Sequence, residues 1–249
     1  MTSQVPKLDT DQIHVWAVRS LAESDCLPSL YKTLSSDELD RASAFRFEKH
    51  KNHYIAARGL LRAILGGYLG KPAEAIGFRY GPQGKPFLRH AENSRLQFNL
   101  SHSEDCTVCA VTLDRELGID VERIKELADM DSIAQRFFSP AEVADLRGVS
   151  SELRAQTFYN CWTRKEAYIK AVGSGLSFPL NQFRVSMLPG QPAALLSIQD
   201  TADSASCWSM HDLRLWDGFV AALAVPLPSC SLVELKFANA AECLKHLHG

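Results

Sequence analysis

The sequence lacks long apolar runs, and this absence bears on where the protein works. No stretch approaches the ~20 apolar residues of a membrane-spanning helix. The longest candidate, GFVAALAV (218–225), is typical of a buried strand. The N-terminal MTSQVPKLDTDQ is polar and has no apolar core of a secretory signal. We therefore expect a cytoplasmic protein with no membrane partner.

Excess charge of one sign is also missing. The 27 basic and 29 acidic side chains leave a formal net charge of −2. Since nucleic-acid-binding domains usually carry a strong basic excess, no nucleic-acid partner is expected. Basic residues do gather in RFEKHK (46–51), a local patch that suits a small anionic ligand.

Paired cysteines are not indicated either, because the chain has seven cysteines scattered along its length. Cys106 and Cys109 spell C-x-x-C, a spacing found in redox and zinc sites. They lie, however, in the strand-like run CTVCAVTL, where residues three apart point to opposite faces. We interpret both as buried side chains without redox or metal chemistry.

A weak internal duplication organises the chain, whose 249 residues suffice for one large domain or two small ones. AARGLLRAILGG (56–67) and CWTRKEAYIKAVG (161–173) are both predicted helices that end in glycine. Each is followed by strands and a closing hairpin, SHSEDCTVCAV (101–111) and LWDGFVAALAV (215–225). We therefore predict an α+β fold of two similar halves, 1–116 and 117–249, with a site in the cleft between them.

Two acidic residues in GIDVE (118–122) suggest a binding site. Asp120 and Glu122 are two apart, so on a strand their side chains share one face while Ile119 and Val121 share the other. Alone, the pattern is equally that of a half-exposed strand edge.

A third acid lies in the predicted helix WTRKEAYIKA (162–171). At 100° per residue, Glu166 falls between Tyr159 and Ile169 on the apolar side, where an unpaired charge is costly. A simple pair with Lys170, one turn on, belongs on an exposed helix and fits this face poorly. If Glu166 met the two strand acids, the three carboxylates would form an oxygen site for a hard cation such as Mg²⁺.

Candidate anion-binding residues lie in two other segments. Lys85 stands in GPQGKPF (81–87), where glycine and proline predict a rigid turn, and Ser101 and His102 stand in NLSHS (99–103), at the start of a hairpin turn. Each could be an ordinary polar turn residue. His102 could also be a hydrolase base, but the sequence has no G-x-S-x-G elbow. Together with the basic patch they suit several phosphates.

These segments, in this order and spacing, resemble the Sfp-type 4′-phosphopantetheinyl transferases. The matching segments are GPQGKPFL, FNLSHS, GIDVERI, RFFSPAEVADL and WTRKEAYIKAVGSGLS. The most specific part is GIDVE followed about forty residues later by W-x-x-K-E-A-x-x-K. The resemblance implies a monomer of two α+β halves related by a pseudo-twofold axis. It also implies coenzyme A in the cleft, with Mg²⁺, or alternatively Mn²⁺, on its pyrophosphate.

The resemblance assigns roles to individual residues. The metal ligands would be Asp120, Glu122 and Glu166. Lys170 would contact the pyrophosphate. The nucleotide end of coenzyme A would be held by Lys85, Pro86, Ser101 and His102, together with the basic Arg46 and Lys49 nearer the N-terminus.

The implied reaction moves phosphopantetheine from coenzyme A to a serine of an apo acyl or peptidyl carrier protein and releases 3′,5′-adenosine bisphosphate. Glu166, directly or through a metal-bound water, would take the serine proton. Of the other two catalytic residues, Lys170 would stabilise charge on the leaving group and Asp120 would hold the metal. Lys165 is either a helper or a solvated lysine at the helix edge. The carrier is expected to dock near SPAEVADL (139–146). Two alternatives stay open, a metal-dependent phosphodiesterase acting on a nucleotide-like pyrophosphate and a non-catalytic binding module.

Overall fold

The computed structural model describes residues 5–19, 25–89, 95–173, 175, 178–199, 202–226 and 230–248. The strands are β1 (Gln12–Val18), β2 (Phe78–Tyr80), β3 (Pro86–Leu88), β4 (Leu96–Ser103), β5 (Cys106–Leu113), β6 (Gly118–Arg123), β7 (Phe183–Val185), β8 (Leu195–Ile198), β9 (Trp208–Asp212), β10 (Phe219–Pro226) and β11 (Ser231–Phe237). The helices are α1 (Leu27–Tyr31), α2 (Ser36–Ser43), α3 (Glu48–Leu69), α4 (Met130–Phe137), α5 (Pro140–Gly148), α6 (Ser151–Val172), α7 (Ala202–Ala205) and α8 (Ala240–His248). Within these ranges, no helix is both long and apolar enough to cross a membrane.

Two main sheets repeat one strand order, which confirms the predicted α+β class. The first sheet runs β11-β1-β5-β4 and the second β6-β10-β9. In both, the first strand of the half pairs antiparallel with the second strand of the closing hairpin, β1 with β5 and β6 with β10. Each half also has a small two-stranded hairpin after its long helix, β2–β3 and β7–β8. The duplication seen faintly in the sequence is thus a repeat of strand pairing.

The C-terminal strand and helix belong to the first sheet. β11 pairs parallel with β1 along its whole length, from Gln12 opposite Ser231 to Val18 opposite Phe237. The buried face of α8 joins the core around Trp16. The segment 231–248 therefore lies on the first half, although the sequence places it in the second. The division into 1–116 and 117–249 stays a prediction for the rest of the chain.

The strand β5 settles the position of the C-x-x-C pair. Cys106 lies in a core cluster between the two sheets, whereas Cys109 lies in the cluster under α3. Both side chains are buried, which confirms that they occupy opposite faces of one strand.

The second closing hairpin differs from the sequence prediction in its first strand. β9 ends at Asp212, and residues 213–218 form the connection to β10. The run LWDG (215–218), with which the predicted closing hairpin begins, is therefore part of this connection and not a strand. Gly218 adopts a left-handed backbone (φ +78°), a conformation that suits a turn.

The two longest helices, α3 and α6, have 22 residues each and end alike. Their C-caps are Gly70 and Gly173, both with left-handed backbone, which glycine adopts at little steric cost. The preceding short helices α2 and α5 begin with the same capping box. Ser35 pairs with Glu38 in α2, and Ser139 pairs with Glu142 in α5.

The burial of α6 is wider than its sequence pattern indicates. The helix packs against β6 and β10 on one side and against α5 and β7 on another, so most of its circumference is covered. Its partly exposed stripe consists of Trp162, Glu166 and Lys170, each one turn apart, whereas Ile169 is buried. Although Glu166 lies beside the buried Ile169 on the helical wheel, it is not itself enclosed in the core. Its carboxylate lies on the border between the core and a cleft.

Candidate active site

The strand β6 presents its two acids as period-two alternation predicts. Ile119 and Val121 are buried in the core between the sheets. On the other face, Asp120 accepts a hydrogen bond from Ser101 of β4 at 2.7 Å. Glu122 accepts one from Ser103 at 2.7 Å. The two strands thus hold both carboxylates in fixed positions at the junction of the two halves.

Lys170 meets Asp120 directly. Its Nζ donates to Asp120 Oδ1 at 2.6 Å and to the Ser101 hydroxyl at 2.9 Å. The Asp120 side chain is only 5% exposed, so this ion pair is largely shielded from water. A hydrogen bond between two charged groups at this short distance is stronger than one between neutral groups. The pair joins α6 to β6 at the point where the acids converge.

Glu166 lies close to both strand acids. Burial raises its pKa to about 7, and the negative charges of Asp120 and Glu122 add to the effect, whereas Lys170 opposes it. Burial also raises the pKa of Glu122, and Asp120 contributes. Among the described residues, none donates a hydrogen bond to the Glu166 carboxylate. These three carboxylates therefore repel one another in a partly buried cleft.

The acid cluster has one unmet bonding requirement. Asp120 Oδ2 is buried and finds no hydrogen-bond partner in the described part of the chain. A hard cation would satisfy this oxygen and relieve the repulsion among the carboxylates, so the donor set fits Mg²⁺ or Mn²⁺. As the side chains stand, the described residues contain no group of three or more His, Cys, Asp or Glu that could hold a metal ion. The ligand set of Asp120, Glu122 and Glu166 stays a prediction.

A cavity of about 380 Å³ adjoins the acids. Glu166 and Lys170 line it from α6. Lys85, in the turn before β3, and Pro86, the first residue of β3, also line it. The Lys85 ammonium is bonded to backbone carbonyls, and burial lowers its pKa. The structure thus brings four of the expected site residues to one cavity from opposite halves of the molecule.

The remaining expected residues are His102 on β4, Lys49 in the first turn of α3, and Arg46 just before α3. His102 lies inside β4, not in a turn, and its ring is 5.3 Å from that of His53 on α3. Lys49 is close enough to His53 to lower its pKa. Arg46 is exposed, and its guanidinium lies over the ring of Phe47. Lys49 and His102 therefore both lie near His53, whereas within the described ranges Arg46 contacts Phe47 and none of the expected site residues.

Lys165 is neither a helper in the cleft nor a solvated lysine. Its side chain is fully buried, and Nζ contacts Glu142 Oε2 at 2.8 Å. It also donates to the carbonyls of Leu180 at 2.8 Å and Phe183 at 2.6 Å. Both sequence interpretations are wrong. Because α6 is covered on most sides, the Lys165 side chain points into the core of the second half.

Three residues that position the site were missed. Ser103 repeats the role of Ser101 two residues on, a spacing the sequence displayed. Asn99 accepts a hydrogen bond from the backbone N–H of Ile119 at 2.9 Å, which ties β4 to β6. A Cβ on Gly118 would lie 2.0 Å from the Ala167 carbonyl oxygen, so only glycine lets β6 approach α6 this closely. The glycine of GIDVE was the available signal.

Two family descriptions match the chain. Residues 116–224 match the 4′-phosphopantetheinyl transferase superfamily, and residues 23–114 match the family described as 4′-phosphopantetheinyl transferase, N-terminal. The two matches cover most of both halves.

Individual relatives are also similar. The 4′-phosphopantetheinyl transferase HetI of Nostoc sp. is 42% identical over 218 residues, which cover 87% of this chain and 88% of the relative. The 4′-phosphopantetheinyl transferase gsp of Aneurinibacillus migulanus is 37% identical over 62% of this chain and 64% of its own. A crystal structure of a Thermotoga maritima holo-acyl-carrier-protein synthase covers 47% of this chain and 64% of its own, with a TM-score of 0.36 and 19% identity.

Proposed function

This chain belongs to the 4′-phosphopantetheinyl transferase family, and we propose that it performs the transfer at the junction of β4, β6 and α6. The donor is coenzyme A and the acceptor is a serine hydroxyl of an apo acyl or peptidyl carrier protein. The observation that carries the proposal is the meeting of Lys170 and Ser101 on Asp120, with Glu166 beside them and with Asp120 Oδ2 lacking a hydrogen-bond partner among the described residues.

The serine hydroxyl attacks the β-phosphorus of coenzyme A. The new serine–phosphorus bond replaces the phosphoanhydride bond, and 3′,5′-adenosine bisphosphate leaves. Such transfers depend mainly on positioning and on neutralising charge. Lys170 stabilises the negative charge that develops on the leaving phosphate, because its ammonium is fixed by Asp120 and Ser101.

Glu166 takes the proton of the attacking serine. In the metal-free site, burial and the neighbouring acids raise the pKa of Glu166 to about 7. A cation bound beside it would favour the unprotonated carboxylate, which is the form that can act as a base. The position of Glu166 on the open stripe of α6 allows a hydroxyl to approach from the cleft. A water molecule between Glu166 and the serine would serve the same transfer.

Asp120, Glu122 and Glu166 would hold the Mg²⁺ or Mn²⁺ ion. When bound, such a cation neutralises pyrophosphate oxygens and stabilises the charge on the leaving group. Ser101 and Ser103 keep the two strand carboxylates aimed at this position.

Coenzyme A would extend from the acids toward the turn at Lys85 and Pro86 and toward His102, with Lys49 and Arg46 farther along the surface. The carrier protein would approach near residues 139–146. The monomeric state and the cytoplasmic location stay predictions from the sequence.

One assay tests the proposal. The protein is incubated with coenzyme A, Mg²⁺ and an apo carrier protein, and the carrier is weighed by mass spectrometry. We expect a mass gain of one phosphopantetheine group. Cleavage of coenzyme A without that gain would indicate a phosphodiesterase, and binding without either change would indicate a binding module. Both results would contradict the proposal.

A further inference from the structure

The ammonium of Lys85 lies between two backbone segments, although the family resemblance assigns it to the nucleotide. Nζ donates to the carbonyl oxygen of Lys170 at 2.6 Å, and the carbonyl oxygen of Leu117 lies 3.5 Å away, at the outer limit of a hydrogen bond. Burial lowers the pKa of Lys85, with the charge of Glu116 opposing the effect. The contact therefore joins a turn of the first half to two segments of the second.

These two carbonyls belong to the elements that carry the acids. Lys170 is in the last turn of α6, whose carbonyls have no partner within the helix and form the negative end of its dipole. Leu117 directly precedes β6, which bears Asp120. A cation at this position stabilises the end of the helix and draws it toward the start of the strand.

The same junction is packed very closely. Gly118 lies against the backbone of Ala167, Lys170 and Ala171, and any Cβ there would overlap with them. Steric contact thus sets how near α6 comes to β6, whereas Lys85 supplies an attraction at its open end. A small movement of this helix end would change the distance between the Lys170 ammonium and Asp120.

We infer that Lys85 is a positioning residue, which holds the end of α6 so that the Lys170 side chain stays on Asp120 and Ser101. This inference rests on the proposed function for its effect on rate. It predicts that Lys85 acts on turnover more than on the binding of coenzyme A. A residue that contacted the nucleotide would do the reverse.

The test compares Lys85→Met, Lys85→Arg and a matched control, Arg79→Met. Methionine keeps the length of the side chain and removes the donor, whereas arginine keeps a charged donor. Arg79 is an exposed cation on the same hairpin, where its guanidinium lies over the ring of Phe87. Measured quantities are kcat and KM for coenzyme A at saturating carrier, and the dissociation constant of coenzyme A without carrier.

We expect Lys85→Met to lower kcat about tenfold to a hundredfold, a usual effect of displacing a reacting group by about 1 Å. The KM and dissociation constant of coenzyme A should stay within about threefold, Lys85→Arg should recover most of kcat, and Arg79→Met should match the wild type. A rise of tenfold or more in the dissociation constant, with kcat retained, would overturn the inference.

Hydrogen–deuterium exchange separates this inference from the proposed function. In Lys85→Met, amides of residues 166–172 should exchange faster, with no change in residues 55–65 of α3. Equal exchange in both proteins would overturn the inference, whether or not the wild type transfers phosphopantetheine. Failure of the wild type to transfer would overturn only the proposed function. If Lys85→Met does not fold, Lys85→Gln is compared by the same measurements.

Discussion

The two halves of the molecule place a buried ion pair at the same point of their long helices, but they differ in the residues beside it. Arg62 of α3 and Lys165 of α6 each stand eight residues before the closing glycine. Arg62 contacts Glu38 at 2.7 Å, and Lys165 contacts Glu142 at 2.8 Å. All four side chains are at most 2% exposed.

The surroundings of the two pairs are also repeated. Glu38 and Glu142 are the third residues of α2 and α5 and complete the capping boxes of these helices. Arg62 donates to backbone carbonyls of the short turn after α3, and Lys165 donates to those of the turn after α6. This arrangement joins a short helix, a long helix and the following turn in each half, so it is part of the architecture.

In the second half, a residue of the proposed active site directly follows the buried ion-pair residue along the helix. Glu166 and Lys170 follow the buried Lys165, whereas the same positions relative to Arg62 are Ala63 and Gly67. The adjacent Lys165 and Glu166 therefore have two unrelated roles. The lysine holds the fold together, and the glutamate faces the cleft.

Of the differences between the two halves, the Glu166 charge should matter most for the transfer rate. We expect Glu166→Gln to lower the transfer rate by about 10²- to 10⁴-fold, because a general base is lost, while the fold stays intact. Rates are measured with an apo carrier, and the fold by circular dichroism. Glu152→Gln, at the exposed start of the same helix, is the control. A normal rate for Glu166→Gln would mean that the base is elsewhere.

Breaking the buried pairs tests whether the halves are equivalent. Lys165→Met should lower the free energy of unfolding by about 3–5 kcal/mol, since it removes the cation that contacts the buried Glu142 carboxylate. Arg62→Met should lower it by less, because Arg58 still contacts Glu38 at 2.9 Å. Urea unfolding measures both values. A loss of stability in both variants supports a shared architectural role. A loss confined to one variant would show that the two pairs are not equivalent.

Adding one methyl group at Gly118 should disturb the close packing of β6 against α6. Gly118→Ala should lower the free energy of unfolding by about 1–3 kcal/mol or more and reduce the transfer rate, because the helix must move away. Gly148→Ala is the matched control, since a Cβ there meets nothing within 4 Å. Thermal unfolding compares the two. Equal stability of both variants would contradict the packing argument.

The smallest expected effect is on the pH dependence of stability, and it comes from a histidine of the first half. Burial lowers the pKa of His53 from 6.5 to about 4, and the neighbouring His102 and His50 contribute. Because the folded-state pKa is the lower one, this contribution to stability is complete above pH 6.5 and is lost as the pH falls toward 4. At the equivalent position before its closing glycine, α6 has Gln156, which does not titrate.

The measurement is urea unfolding between pH 7.5 and 4.5. His53→Gln should lose less stability over this range than the wild type. His50→Gln should change the profile much less than His53→Gln, because His50 is exposed and only adds to the larger effect of burial on His53. Identical pH profiles for His53→Gln and the wild type would show that His53 does not titrate with folding.

Local periodicity made much of the site predictable. Asp120 and Glu122 share a face because strand side chains alternate, and Glu166 and Lys170 lie on the same side of α6 because they are four apart. The capping box of α5 was equally readable from SPAE. By contrast, the parallel pairing of β11 with β1 joins residues more than 200 positions apart, and no local pattern encodes it.

The sequence alone was enough to predict the helices and strands that carry the acids. It also predicted which side chains share a face of each element, since both features depend on residues that are neighbours along the chain. The tertiary structure alone decided what those side chains meet. It directed Lys165 into the core, placed the Lys85 ammonium on the end of α6, and left Glu166 on the rim of the cleft. The physical reason is that burial and ion pairing depend on segments brought together by folding, and the period of one element does not contain that information.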